Sequence, residues 1–125
     1  MQDHVTTVAE LKHLVGDFIR EREWERYHSP KNLAMSIAIE AAEVLELCQW
    51  LDPEEAQQKA MHDPAFRQQL QEELADVTAY ILSLCRQTDI DLAAALDREL
   101  SGQANLLQSP AFQAALAAFV GKSPH

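Results

Sequence analysis

The sequence predicts an all-α fold, a bundle of four main helices, on three observations. Glycine and proline are scarce, 3 and 5 among 125 residues, while strong helix formers such as Ala, Leu, Gln and Glu abound and β-branched residues are few. Four of the five prolines share one context: Ser29-Pro30, Asp52-Pro53, Asp63-Pro64 and Ser109-Pro110 each place an N-cap residue before a first-turn proline. Apolar residues also recur at three- and four-residue spacing over long stretches. A chain of 125 residues is expected to form a single domain, 1–125, with room for a core.

In chain order, residues 1–6 read as a short frayed lead-in. Thr6 or Thr7 can cap a helix running to about Tyr27, with Val8, Leu11, Leu14, Val15, Phe18 and Ile19 as its apolar stripe. The following run REREWER alternates in charge and reads as a solvated face. Ser29-Pro30 starts the next helix, whose core is Leu33 to Leu51, LAMSIAIEAAEVLELCQWL. It is apolar almost all round, so it is expected to be buried. Asp52-Pro53 opens a short helix with Glu55 placed for a capping box, and Asp63-Pro64 opens a long one over about 64–88. From Leu92 a further helix is expected to break or end near Gly102; the last, AFQAALAAF, follows Ser109-Pro110 and ends at Gly121. Short connections favour antiparallel neighbours.

The formal net charge is -10, which repels nucleic-acid backbones and argues against DNA or RNA as partners. Cys48 and Cys85 lie in apolar helical contexts and read as buried hydrophobes in a reducing compartment. The start MQDHVTTVAE lacks the basic and apolar regions of a signal peptide, and acids interrupt every stretch that approaches membrane-spanning length. The expected location is the cytoplasm, with no membrane partner.

Two acid pairs carry the chemistry. Glu40 and Glu43 are three apart in the apolar helix, hence neighbours on one face, and Glu73 and Asp76 repeat the spacing in EELADVTAYILSLC. Acid pairs are common in a chain with 20 acids, and most sit on a wet face. Here they interrupt otherwise apolar helices, along the stripes Ser36, Glu40, Glu43, Leu47, Trp50 and Gln69, Glu73, Asp76, Tyr80, Ser83. If those stripes face each other, four carboxylates converge, and their repulsion is relieved by a hard divalent cation, Mg²⁺ or, as a substitute, Mn²⁺. The absence of Cys or His among these acids argues against zinc. A di-iron site would need Glu-x-x-His on two helices; Glu10-x-x-His13 and Glu25-x-x-His28 both belong to the first helix or its end. His13 and His28 read as surface or helix-end residues.

In order along the chain, EREWERYH (21–28), SPKNL (29–33), EAAEVLELCQW (40–50) and EELADVTAY (72–80) resemble the MazG-like all-α nucleotide pyrophosphohydrolases, and most closely their dCTP pyrophosphatase branch. The resemblance spans roughly residues 10–90. It implies that Glu40, Glu43, Glu73 and Asp76 ligate metal and are the catalytic acids, with Glu43 a candidate to orient or deprotonate water. It places Trp24 and Trp50 near the base, and Asn32 and Tyr80 in the same pocket. It implies cleavage of a nucleoside triphosphate to monophosphate and pyrophosphate, with dCTP or a modified pyrimidine deoxynucleotide as candidate substrates, and assembly as a homodimer or homotetramer. The chain departs from the pattern where the family carries phosphate contacts. Glu99 and Gln103 stand where a Lys and an Asn align, ANLLQSP lacks an Arg-Tyr pair, and Val15 replaces a histidine. Lys31, Arg86 and Arg98 are the cations that could take over. These departures keep open a non-catalytic, nucleotide- or metal-binding relative with a regulatory role, and a structural helical oligomer with solvated acids.

Overall fold

The computed structural model describes residues 1–121. Among them there are six α-helices and no strand: α1 (Val8–Glu21), α2 (Pro30–Cys48), α3 (Pro53–His62), α4 (Pro64–Gln87), α5 (Leu92–Gln108) and α6 (Pro110–Gly121), with a 3-10 turn at Glu25–Tyr27. The four long helices are α1, α2, α4 and α5. The chain divides into two compact units, Met1–Ile90 and the residues from Asp91 onward.

The helix starts follow the sequence signals. Thr7 caps α1 with a full capping box: its backbone N–H donates to Glu10 Oε2 at 2.6 Å, and the Glu10 N–H donates to Thr7 Oγ1 at 3.2 Å. The Thr7 backbone N–H foremost, and then the Thr7 hydroxyl, which donates to the same Oε2 at 3.0 Å, hold the Glu10 carboxyl below its usual range. Ser29 accepts from the Asn32 N–H, Asp63 from Ala65 and Phe66, and Asp91 from Ala94. At α3, Asp52 accepts from the Glu55 N–H at 2.8 Å, one half of the expected box.

Three expectations change. The first helix ends at Glu21 instead of Tyr27. The Trp24 N–H reaches back to Ile19 O and the Glu23 N–H to Arg20 O, a Schellman stop with Glu23 left-handed at φ 55. The same stop closes α4, with Ile90 N–H to Cys85 O, Asp89 N–H to Arg86 O and Asp89 at φ 54. Neither stop has the glycine that normally marks it, so periodicity alone overran the first. Conversely, α5 continues through Gly102 to Gln108. The helix formers on both sides absorb the roughly 1 kcal/mol that a mid-helix glycine costs. Finally, α2 is buried on one face only. Leu33 is 1% exposed, whereas Met35, Ile39 and Leu45 are 50%, 59% and 62% exposed.

In the first unit α4 is the hub, packed against α1, α2 and α3. Ile19, Leu33, Phe66, Leu82 and Cys85 are its buried apolar residues. Both cysteines are free, Cys85 buried and Cys48 half-buried. In the second unit α5 packs on α6. Ser109 joins them, donating to Leu106 O and accepting from the Phe112 N–H. No helix among the described residues is long and apolar enough to cross a membrane.

Candidate active site

The buried face of α2 is not purely apolar. Leu33, Ser36, Ile37, Glu40, Glu43, Val44, Leu47 and Cys48 are its covered or half-covered residues, and helical spacing puts both acids in the seam that packs against α4. On α4, Phe66, Leu70, Glu73, Val77 and Tyr80 form the matching line. Antagonistic demands meet there: packing brings the helices together, and the same contact brings carboxylates together.

One oxygen each of Glu40, Glu73 and Asp76 lies within 4.8 Å of the others. Glu43 joins them, in reach of both Glu40 and Glu73. Among the described residues no Lys, Arg or His pairs with any of these acids. Glu40 Oε2 and Glu73 Oε2 are shut off from water and receive no hydrogen bond. The carboxyl of Glu73 is pushed up to about 7: its protonated form can hydrogen-bond Glu43, burial disfavours its charge, and Glu43, Asp76 and Glu40 repel it. Glu40 is raised by burial first and then by the charges of Glu43 and Asp76.

An all-oxygen, uncompensated donor set of this kind suits a hard divalent cation. Opposite oxygens around one Mg²⁺ lie about 4.2 Å apart, and the three oxygens here lie within 4.8 Å of one another. The orphaned oxygens of Glu40 and Glu73 are the specific sign of fit, because a buried acceptor without a donor is costly.

Beside the acids lies a cavity of about 370 Å³ between α1, α4 and the connector after α1. Asp76 belongs to its wall, so the cavity and the acid cluster share a residue. Tyr80 and Ser83 continue the α4 side at helical spacing, while Leu14, Val15, Phe18 and Ile19 supply the α1 side. Trp24 and His28 enter from the connector. The Trp24 ring meets Phe18 edge-on at 5.8 Å, and Arg22 covers the other ring, 3.5 Å from the Phe18 centroid.

The structure therefore brings together Glu40, Glu43, Glu73 and Asp76, and sets Trp24 and Tyr80 on the adjoining cavity. It does not bring Lys31, Asn32 or Trp50 into that wall. Lys31 is exposed and makes no ion pair among the described residues. The Asn32 side-chain amide donates to Tyr27 O at 3.1 Å, tying the start of α2 to the 3-10 turn. Trp50 is 87% exposed beyond the end of α2.

His28 closes the 3-10 turn, a helix-end residue as expected, and the structure adds that it lines the cavity. It is half-buried on the cavity wall, 6.5 Å from the Tyr80 ring, with Nδ1 enclosed and unpartnered. Burial lowers its pKa. The available signal was its place at the end of the aromatic run WERYH, beside Trp24. Val15 lies on the same wall, so an apolar side chain faces the cavity where the resemblance expects a histidine. In the second unit Gln103 donates to Glu99 at 3.1 Å, so the two residues at the expected phosphate-contact positions bond each other.

The chain is similar to known proteins. Bovine (Bos taurus) dCTP pyrophosphatase 1 is 37% identical over 90 residues, which cover 72% of this chain and 53% of the relative. The Homo sapiens protein of the same name is 36% identical over 90 residues, 72% of this chain and 52% of the relative. The chain thus spans about half the length of the curated relatives it matches. A crystal structure of a pyrophosphatase from Archaeoglobus fulgidus superposes with a TM-score of 0.75 and 33% identity, over 87% of this chain and 99% of that one. The profile of the MazG-like family matches residues 35–112, a stretch that includes both acid pairs, and the chain belongs to that family.

Proposed function

We propose that the chain is a Mg²⁺-dependent nucleoside triphosphate pyrophosphohydrolase. Its substrate on this reading is a deoxynucleoside triphosphate, dCTP or a modified pyrimidine deoxynucleotide, cleaved to monophosphate and pyrophosphate. The observation that carries the reading is the four-acid cluster between α2 and α4, with donorless buried oxygens, opening beside an aromatic-walled cavity. About 370 Å³ is in the range of small-molecule sites. The names of the relatives and of the structural neighbour point the same way.

Glu40, Glu43, Glu73 and Asp76 would hold the metal. Bound there, Mg²⁺ would neutralise phosphate charge and favour ionisation of water at neutral pH. Glu43 is the side chain assigned to orient the attacking water, or take its proton, as it approaches the α-phosphorus. Trp24 and Tyr80 offer aromatic faces to the base beside the acids, and the α1 side adds apolar contact surface. Lys31, Asn32 and Trp50 remain assigned to substrate as residues that a second copy of the chain or bound nucleotide would have to bring in. The exposed ridge of Met35, Ile39 and Leu45 on α2 supports a homodimer or homotetramer, since apolar patches of this kind are covered in assemblies. The proposed setting is the cytoplasm, where a free nucleotide pool is available. The net charge of -10 disfavours nucleic acid as partner.

The test is product analysis. Each dNTP and NTP is incubated with the protein and Mg²⁺, with Glu43→Gln as control. Monophosphate and pyrophosphate from one or a few substrates, lost in Glu43→Gln, Glu40→Gln and Asp76→Asn, is the expected result. Near-normal turnover in those variants removes the metal-ligand assignment. A second reading, a binding-only regulatory relative, is favoured by the Gln103–Glu99 bond, which occupies both groups at the expected phosphate contacts. It predicts nucleotide binding without product.

A further inference from the structure

The connector between α1 and α2 carries Trp24 and His28 into the cavity, yet little of its own structure holds it there. It leaves α1 through Glu23, a non-glycine residue at φ 55, and then makes a single 3-10 turn with no side-chain cap. Asn32 ties its far end at Tyr27 O. The middle is held from α4 by Arg86, whose Nη2 lies 3.9 Å from Glu25 Oε1. To get there, the Arg86 side chain crosses α1 at Gly16. A Cβ on Gly16 would meet the end of Arg86: the guanidinium Cζ would lie at 2.8 Å, closer than real Cβ atoms pack, and Cδ at 3.0 Å, a tight contact. Gly16 is itself buried in the middle of α1, where glycine costs about 1 kcal/mol relative to alanine. That cost has a local explanation: the residue opens a passage for Arg86.

Arg86 is not placed to hold phosphates. It lies ten residues beyond Asp76 on α4, about 15 Å along the axis, and it pairs with Glu25. We propose that Gly16, Arg86 and Glu25 form a latch: Arg86, passing α1 at Gly16, clamps the connector through Glu25 and so positions Trp24 and His28 against the cavity. Arg86 and Glu25 are positioning residues on this account. They act on substrate affinity through the connector and leave the acid cluster alone. The effect on affinity rests on the pyrophosphohydrolase reading; the effect on the connector does not.

The experiment uses the full chain with dCTP and Mg²⁺ and the variants Arg86→Ala, Arg86→Lys, Glu25→Gln, Gly16→Ala and Gly16→Ala/Arg86→Ala. Arg86→Ala and Glu25→Gln are expected to raise KM about threefold, the scale of one partly exposed ion pair, with kcat unchanged. Arg86→Lys, which keeps the charge, restores KM. In a Trp50→Phe background Trp24 is the single tryptophan; unlatching red-shifts its emission and increases acrylamide quenching. Gly16→Ala pushes the flexible end of Arg86 aside, so it raises Tm less in the wild-type chain than in the Arg86→Ala background, where the added methyl meets no guanidinium and alanine favours the helix. Unchanged Trp24 emission and quenching in both Arg86→Ala and Glu25→Gln overturns the latch. So does a Gly16→Ala effect that is the same in both backgrounds, or a fall in kcat at constant KM. If dCTP is not turned over, the functional reading fails, and the fluorescence and the Gly16/Arg86 cycle still decide the latch.

Discussion

Mg²⁺ should stabilise the protein strongly near neutral pH and weakly in mild acid, and the acid cluster sets how steeply. The neighbouring acids and burial push the Glu73 carboxyl up to about 7, from its usual 4.5. A carboxyl raised on folding binds more protons in the folded than in the unfolded chain. Its contribution to stability is therefore present below about pH 4.5 to 5 and is lost as pH rises towards 7. Glu40 shifts in the same direction. A cation needs the ionised carboxylates, so it competes with those protons. With a pKa of about 7, half of Glu73 is ionised at pH 7 and about one part in a hundred at pH 5. The apparent Mg²⁺ affinity should fall about fiftyfold over those two units. Thermal melts with and without Mg²⁺ at half-unit pH steps measure this. At Mg²⁺ a hundredfold above the dissociation constant the stabilisation is about 2.7 kcal/mol; the same concentration at pH 5 should leave well under half of it. His28, whose pKa is lowered by burial, adds a slope of opposite sign: its stabilisation is present above about pH 6.5 and lost as pH falls. It acts with and without metal alike, so the difference between the two melts isolates the acids. Glu73→Gln should flatten the pH dependence. Equal Tm shifts at pH 5 and pH 7, or no shift at either, would refute the reasoning.

Other outcomes follow from single residues. Glu23→Gly should stabilise the fold by about 1 kcal/mol in urea unfolding, because glycine accepts φ 55 without the left-handed penalty; Asp89→Gly should gain less, since aspartate tolerates that region better. Leu33→Ala removes the most completely buried large side chain and should cost about 2–5 kcal/mol, read from the same unfolding curves. Ile39→Glu puts a charge on the exposed α2 ridge and should shift light-scattering mass from dimer or tetramer to monomer while leaving the helical circular dichroism intact.

Much of the site was legible because it depends on spacing within a helix. Glu40 with Glu43, and Glu73 with Asp76, are face neighbours by the 3.6-residue period wherever the helices lie. The helix starts were legible too, because a cap is a local contact and Ser29, Asp52 and Asp63 mark it chemically. Helix ends were harder. The two Schellman stops use Glu23 and Asp89 in place of glycine, and Gly102, which looks like a stop, is none. The cavity at His28 was not legible because part of its wall comes from α4, through Tyr80 and Ser83, far away in sequence.

By itself, then, the sequence determined the helical class, the helix starts and the pairing of acids along each helix, since all of these rest on contacts within about four residues. Only the tertiary structure decided that the two pairs meet. It also decided that Trp24 and His28 share a cavity with Asp76 while Lys31, Asn32 and Trp50 do not line it, and that Gly16 lets Arg86 reach Glu25. Those facts depend on how α1, α2 and α4 are turned against one another. That rotation is set by burial of the whole apolar surface at once, and no local pattern encodes it.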